Sequence, residues 1–409
     1  MMRISDWKVV VLSVVFLSAL GFPGDYKYLF GDLVCDLFDY FCFFIEVCLI
    51  LSTFKKDFSR VKKSQLLLYL LPLVFLGESL IVTNYLSEQL ISCIRFMITV
   101  YFAIWISNNV TLEKVTDAFY RAQIIYLVST LVFLIIKSGY SFENTDSVFN
   151  AFNGIWANKN ECAYELVFGL IITIFSIRIY SKKSALSIGT MIIQIVLLAL
   201  TKSTGACLFL VIIIAFVLFC KKRLNPGLVY IAITFGTLAI VFLGMGLLSK
   251  VLLLLGKNAT LTGRVTLWRN IITLMTSNDL LHSVFGYGFS MFWRDKTAYS
   301  LLHSMVTNKY SWLANMTAGA HNGILDIWLN VGFVGVLFFL LVLVRANKSY
   351  KKWDYNKYLF VSSIMLFFTL HGLTERVIHN YTYSTLTIFL ALAVATNNSF
   401  SEGTKVCSF

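Results

Sequence analysis

Charge is what this sequence has least of. Asp, Glu, Lys and Arg together make up 13% of the 409 residues, against 58% hydrophobic, 16% aromatic and a mean hydropathy of +0.77. No soluble domain has the interior to hide that much apolar surface. Paired cysteine spacings are missing too. The eight cysteines are scattered, with no CxxC, and Cys35, Cys42, Cys48, Cys93, Cys207 and Cys220 lie inside apolar runs. That excludes a zinc module and a disulfide framework. Internal repeats, low-complexity tracts and a soluble linker domain are also absent, so 1–409 reads as a single transmembrane domain. The net charge of +13 falls in short clusters between apolar runs rather than along one soluble face. Those clusters are topology signals, and nucleic acid is excluded as a partner.

What the chain does have is apolar length. Runs of about 17–25 residues recur from end to end, each able to cross a hydrocarbon core of roughly 30 Å. The sequence predicts an all-α polytopic membrane protein of about 12 transmembrane helices, near 8–22, 33–53, 65–83, 89–107, 118–137, 163–180, 185–201, 205–220, 228–248, 322–344, 358–373 and 380–396. The first run follows Arg3 and Lys8 as a signal peptide would, but eleven further spans follow, and it is read as a retained first helix. The second run carries Asp36, Asp39 and Glu46.

Orientation comes from lysine and arginine. KKDFSRVKK (55–63), SKKS (181–184), KKR (221–223) and RANKSYKKWDYNK (345–357) all fall in even-numbered connections, hence on one side. The excess of Lys and Arg makes that side the cytoplasm, and both termini join it. The opposite face receives a connection of about 25 residues before Ala163 and an inserted loop, 249–320, between helices nine and ten. The second is long enough to escape the charge rule, so its arginines do not contradict the assignment.

Any chemistry is therefore expected outside. LTGRVTLWRNIITLM (261–275) predicts a helix with Arg264, Trp268 and Ile271 or Ile272 on one face and Arg264 at its start. An arginine beside free helix N–H groups suits an anion, a diphosphate above all, while contact of Arg264 and Arg269 with lipid headgroups is the alternative. VFGYGFSMFWRD (284–295) holds a glycine turn, Gly286 and Gly288, followed by Arg294. His282 and His303 in the same loop read as surface histidines.

AGAHNGILDIWLNVGFVGVLFF (318–339) opens on His321 and Asn322 and then enters lipid. Asn322, Asp326 and Asn330 are four apart and form one polar stripe. At membrane depth such a stripe faces protein or a water-filled cavity. It reads either as polar glue between helices with His321 as a helix-start residue, or as the wall of a site with His321 at its external mouth. Gly332 and Gly335 further down allow close helix approach. Lys159 and Asn160, with Glu161 and Glu165 behind them, precede the sixth helix. Lys202 lies in the ALTKSTGA turn, Glu375 and Arg376 in HGLTERVIHN, and Arg95 about two turns into the fourth helix, where a charge is costly unless paired or hydrated. Singly these are ion-pair or snorkelling residues; together they gather cations on the external side, which suits a lipid-linked phosphorylated substrate.

GRVTLWRN, FGYG and above all AHNGILDIWLNVGFVGVLFF resemble the O-antigen ligase and O-antigen polymerase superfamily of bacterial envelope glycosyltransferases. In that superfamily a large periplasmic loop contains a G-R-x-x-x-W segment and ends on a histidine-asparagine pair, followed by a helix with a G-x-x-G turn. FNGIWANKNECAYEL resembles the family's G-x-x-x-x-x-N segment, and HGLTERV its near-terminal L-T-E element. The resemblance covers about 150–380; the first four helices match only in hydropathy.

The resemblance implies inverting, metal-independent glycosyl transfer at the periplasmic face of the bacterial inner membrane, without a cofactor. The donor is a glycan on undecaprenyl diphosphate and the acceptor a sugar hydroxyl. Arg264 would hold the departing diphosphate, and His321 would stand beside the acceptor hydroxyl as base or positioning group, which a histidine can do near neutral pH. Arg269, Lys159, Asn160, Lys202, Asn322, Arg294, Glu375, Arg376 and Arg95 are the implied substrate-binding residues. The external loops have no DxD-type pair to hold a metal. ALTKSTGACLFL aligns with a family element, often S-x-S-R-x-x-L, whose arginine position is Thr204 here, so Lys202 is expected to supply that cation. Because this element is eroded, a polymerase extending lipid-linked repeat units, with a chain-length regulator as further partner, is favoured over a ligase to lipid A core. A multi-pass transporter or flippase is the alternative of another class; against it, the sequence shows no paired broken helices in corresponding halves.

Overall fold

The computed structural model describes residues 7–21, 31–59, 61, 63–82, 85–136, 139, 141–145, 148–156, 158–180, 185–219, 224–243, 264–277, 279–305, 319–378 and 382–397. Each of the twelve predicted runs holds a helix. They are α1 (Trp7–Ala19), α2 (Asp32–Ser59), α3 (Lys63–Val82), α4 (Leu86–Asn109), α5 (Leu112–Ile136), α6 (Lys159–Tyr180), α7 (Ala185–Leu200), α8 (Thr204–Phe219) and α9 (Pro226–Leu243), then α13 (Gly323–Ala346), α14 (Tyr355–His371) and α15 (Tyr383–Thr396). Five of them, α3, α4, α5, α6 and α13, are long and apolar enough to cross a membrane, and α1, α7, α8, α9 and α15 are shorter apolar helices. The chain is a polytopic helical membrane protein, and among the described residues its regular structure is all helix with one small exception.

That exception is a two-stranded antiparallel hairpin, β1 (Phe142–Thr145) and β2 (Val148–Phe152), in the connection expected to be plain loop. Four and five residues are too short to show a period-2 pattern. Its ends are fixed by Phe142 and Phe152, whose rings meet edge-on at 5.7 Å. α5 starts at Leu112, earlier than hydropathy predicts, because Glu113, Lys114 and Asp117 dilute a turn whose Leu112, Val115 and Thr116 are buried. Inside the inserted loop lie three further helices, α10 (Arg264–Ser277), α11 (Leu280–Phe285) and α12 (Lys296–Met305). Residues 249–263 and 306–318 of that loop lie outside the described residues.

Helix ends sort into two groups. At one end, Asn397 donates to the Ser107 carbonyl (2.6 Å), the Lys357 ammonium donates to the Asn397 carbonyl (2.6 Å), and Gln65 donates to Asn108 (3.1 Å). These contacts join the start of α3, the end of α4, the start of α14 and the end of α15. The Tyr358 hydroxyl donates to the Leu224 carbonyl (3.1 Å), and Asn225 donates to the Asn347 carbonyl (3.3 Å). Gln65, Leu224, Asn225, Asn347 and Lys357 thus lie at one end of the bundle, the end at which the alternation of spans is expected to put KKDFSRVKK, KKR and RANKSYKKWDYNK.

α13 is broken. Val331 (φ −127°, ψ 16°) and Gly332 (φ 64°, ψ −172°) leave helical geometry, and the FGYG turn packs into the gap. Tyr287 N–H donates to the Leu329 carbonyl (2.9 Å), and the Trp328 indole N–H donates to the Ser283 carbonyl (3.1 Å). Backbone meets backbone here: a Cβ on Gly286 would strike Asn330, and one on Gly332 would strike Val284 and Phe285. The glycines of FGYG and of the helix are therefore two halves of one contact. Gly332→Ala is expected to cost at least about 1–2 kcal/mol from the left-handed φ alone, and more through displacement of 284–286. A lowered thermal midpoint of the purified protein in detergent checks it.

Candidate functional site

Glu375 stands at the centre of the site. It sits in the turn after α14, where Gly372, Thr374 and Glu375 fold back by N–H bonds to the Phe368 and His371 carbonyls. One carboxylate oxygen lies 3.1 Å from an Arg264 guanidinium nitrogen and the other 2.8 Å from His321 Nδ1. The two residues expected to do chemistry are thus held by one carboxylate. Their side chains are 23% and 19% accessible and that of Glu375 is 25%, so a ligand can reach all three. Burial pushes the Glu375 carboxyl up, but the His321 hydrogen bond and the charges of His321, Arg264 and His371 together hold it below the ordinary carboxylate value. A charged Glu375 accepts from the histidine, which favours the tautomer with its proton on Nδ1.

His321 is kept in a strained backbone. Its φ of 46° is left-handed, uncommon for a residue with a side chain. The preceding residue, Ala320, is held through both its carbonyl and its N–H. Trp268 Nε1–H donates to the Ala320 carbonyl (3.0 Å), and Ala320 N–H donates to Asp326 Oδ1 (3.1 Å). The same Asp326 oxygen accepts from Trp293 Nε1 (2.8 Å), and its other oxygen accepts from the Asn330 amide (3.2 Å). Asn322, immediately after, caps α13 by accepting from Ile324 and Leu325, and Gly323 N–H donates to the Gly372 carbonyl at 2.7 Å. The G-R-x-x-x-W spacing now has a reason: four residues put Arg264 and Trp268 on one face of α10, one for Glu375 and one for the backbone before His321. Trp268→Phe is expected to lose about 1–3 kcal/mol by orphaning a buried carbonyl, together with activity; thermal melting and turnover of the variant check both.

The remaining expected residues are distributed unevenly. Arg376 follows Glu375; its aliphatic stem would lie 3.0 Å from a Cβ on Gly319, whose φ is 129°, and its charge acts on Asp326. Asn160 accepts from Ser203 (3.1 Å), which ties the α7–α8 turn and its exposed Lys202 (φ 54°) to the start of α6. Lys159, the first residue of α6, gives its N–H to Glu143 of the hairpin (3.0 Å). This group reaches the centre through Tyr164, whose hydroxyl lies 2.9 Å from Thr374 Oγ1 and whose ring sits 4.4 Å from that of His371. Arg269 is exposed, five residues on from Arg264 and so on another face of α10, and Arg294 is exposed after the FGYG turn. Arg95 lines a separate cavity. Asn322 has its amide oxygen committed to the cap.

Trp268, Trp293 and Tyr164 are the positioning residues that spacing alone leaves unassigned. Trp268 already shares the Arg264 face in the sequence; for Trp293 and Tyr164 the signal is weaker, an aromatic with a polar tip set among residues otherwise committed to the core. Among the described residues no group of three or more His, Cys, Asp or Glu side chains could hold a metal ion.

A helical membrane bundle with a histidine, a carboxylate and an arginine gathered at one mouth defines a class: a multi-pass membrane protein with a polar, ligand-accessible site where its loops meet the helices. Residues 189–340, from α7 through α13, match the family model described as O-Antigen ligase. The resemblance to the O-antigen ligase and polymerase superfamily therefore holds over a stretch that includes Arg264, Trp268 and His321, and it supports a function of the ligase or polymerase type. Glu375 lies beyond the matched stretch and is brought to it by the fold. No curated protein matches the chain.

Proposed function

We propose that the protein polymerises oligosaccharide repeat units carried on undecaprenyl diphosphate, by inverting glycosyl transfer at the periplasmic face of the bacterial inner membrane. The observation that carries this reading is the single carboxylate of Glu375 between Arg264 and His321. His321 Nε2 accepts the proton of the acceptor hydroxyl as its oxygen attacks the anomeric carbon. The bond from that carbon to the diphosphate breaks, and the leaving group departs with the electron pair. Arg264 spends one nitrogen on Glu375 and has the rest of its fork for the developing phosphate charge. Helix α10 begins at Arg264, and the N–H groups of a first helical turn favour an anion. Lys202, Lys159 and Arg376 add cations around the leaving group, with Arg269 and Arg294 on the loop's outer surface. In this reading all twelve helices span, both termini are cytoplasmic, and a chain-length regulator is a partner.

The deciding experiment combines purified protein with a defined undecaprenyl diphosphate-linked repeat unit. Longer lipid-linked chains, formed without ATP, are the expected product. If chains appear only on added lipid A core, the protein is the ligase. If neither forms and lipid-linked glycan instead crosses sealed vesicles, it is the transporter or flippase. The break in α13 is the one feature that favours this last reading, and no matching break occurs in another described helix.

The pairing of Glu375 also sets a pH dependence. A carboxyl held below its ordinary value contributes stability that is fully present above the unfolded value and is lost as pH falls through the folded one. The difference in thermal midpoint between wild type and Glu375→Gln is expected to be constant near neutrality and to vanish on acidification through and below the usual carboxylate range.

A further inference from the structure

An apolar groove of about 210 Å³ runs down the flank of the bundle between α6 and α8. Its floor is Ile171, Phe175 and Ile213, each 2–3% accessible, and its rim is Ile214 and Leu218, 38% and 64% accessible, so it opens sideways, toward lipid. The two walls are helices whose outer ends enter the site. Asn160 of α6 and Ser203, just before α8, are bonded at the top (3.1 Å). One turn down, Tyr164, whose hydroxyl meets Thr374 beside Glu375, stacks on Phe209 of α8 at 5.9 Å. Leu210, the next residue, already lines the groove. The groove is thus the downward continuation of the seam that carries the site. It extends from about 9 Å below the start of α8, at Leu210, to about 21 Å at Leu218, and Phe175 lies about 24 Å below the start of α6. It therefore crosses the middle of a hydrocarbon core of roughly 30 Å.

We propose, resting on the reading of the site as one for an undecaprenyl diphosphate-linked donor, that this groove holds the donor's polyprenyl chain. The chain is joined directly to the diphosphate, so a donor held at Arg264 has to let its chain leave the site along one flank of the bundle. Helices α14 and α15 do not offer that flank, since every residue from Lys357 to His371 and from Ser384 to Thr396 is buried. The seam of α6 and α8 does, and its lower part is open to lipid. The lining is wholly apolar, which excludes a sugar or a headgroup and leaves a hydrocarbon chain as the occupant. Depth then separates the chains. The acyl chain of an outer-leaflet phospholipid ends near the midplane, about 15 Å down, where the groove has barely begun. A polyprenyl chain is long enough to pass the midplane and fill it. An acyl chain rising from the inner leaflet meets the lower end of the groove but not the seam that leads to the site.

The test uses the full chain, purified in detergent, and undecaprenyl phosphate carrying a photoreactive diazirine in its chain. After irradiation, label is expected on the peptides of α6 and α8 that line the groove, suppressed by excess unlabelled undecaprenyl phosphate and not by the same excess of phosphatidylglycerol. Ile214→Trp fills the groove from its accessible rim and leaves the floor untouched. It is expected to reduce labelling there by about tenfold, the effect of crowding one packed position. Label spread over the lipid-facing surfaces of the other helices overturns the proposal, as does equal suppression by phosphatidylglycerol, which would make the groove an ordinary lipid contact. Labelling of the unaltered chain decides the matter even if the variant fails to fold. Turnover is measured separately. A chain that labels the groove but neither polymerises nor ligates keeps this site and loses the reaction, whereas one that polymerises with its label elsewhere keeps the reaction and loses this site.

Discussion

His321→Ala is expected to reduce chain extension by about 10²–10⁴-fold, the usual worth of a positioned general base, while the protein remains inserted and abundant. The side chain meets Glu375, and a fifth of it is open. The backbone is another matter. At φ 46° any residue with a Cβ is strained, so alanine inherits the cost that histidine bears. His321→Gly separates the two effects. It should be as inactive as alanine yet at least as stable as wild type, by up to about 1 kcal/mol, because glycine takes that conformation freely. Strain held at one residue, clamped by Trp268 and Asp326, marks a place where geometry is kept at a cost to stability. Wild-type rates in either variant would remove His321 from the reaction; a less stable glycine variant would show that the clamp, rather than the strain, dominates locally.

What the sequence displays and what it conceals follow from the range of each interaction. Twelve apolar runs are visible because hydropathy is local, and a helix stands at each. The polar stripe Asn322, Asp326 and Asn330 is visible for the same reason. Its two readings turn out to be compatible: Asn322 is a cap and Asn330 binds back to Asp326, yet Asp326 also holds the peptide before His321. Glu375 could be placed on the external side but not in the middle, since its partners are 111 and 54 residues away. Nothing local encodes that meeting. The break in α13 is hidden similarly: Gly332 and Gly335 suggest only close packing until the FGYG turn, more than 40 residues earlier, is found inside the gap. Arg269 and Arg294 show the converse. A count of external cations cannot tell those that converge from those that face away, because one residue of helical phase separates the two cases.

Glu375→Gln is expected to lower kcat by about 10²-fold or more with KM changed little, because it keeps the shape and removes the charge that both neighbours use. Glutamine can still meet His321, but it no longer favours one tautomer, and it leaves the Arg264 guanidinium without its anion. Arg264→Ala should be as severe, and Arg264→Lys nearly so, since an ammonium cannot bond Glu375 and a phosphate oxygen in the planar fork arrangement. The double variant Glu375→Gln with Arg264→Ala tells whether these are one device or two. Residues acting as a unit are strongly non-additive, so the double variant should be little worse than the worse single. Independent losses that multiply would mean that Glu375 serves His321 alone and that its 3.1 Å contact with Arg264 is incidental. The same cycle run with His321→Ala in place of Arg264→Ala completes the comparison: a carboxylate that holds both partners predicts coupling in both cycles, and of similar size.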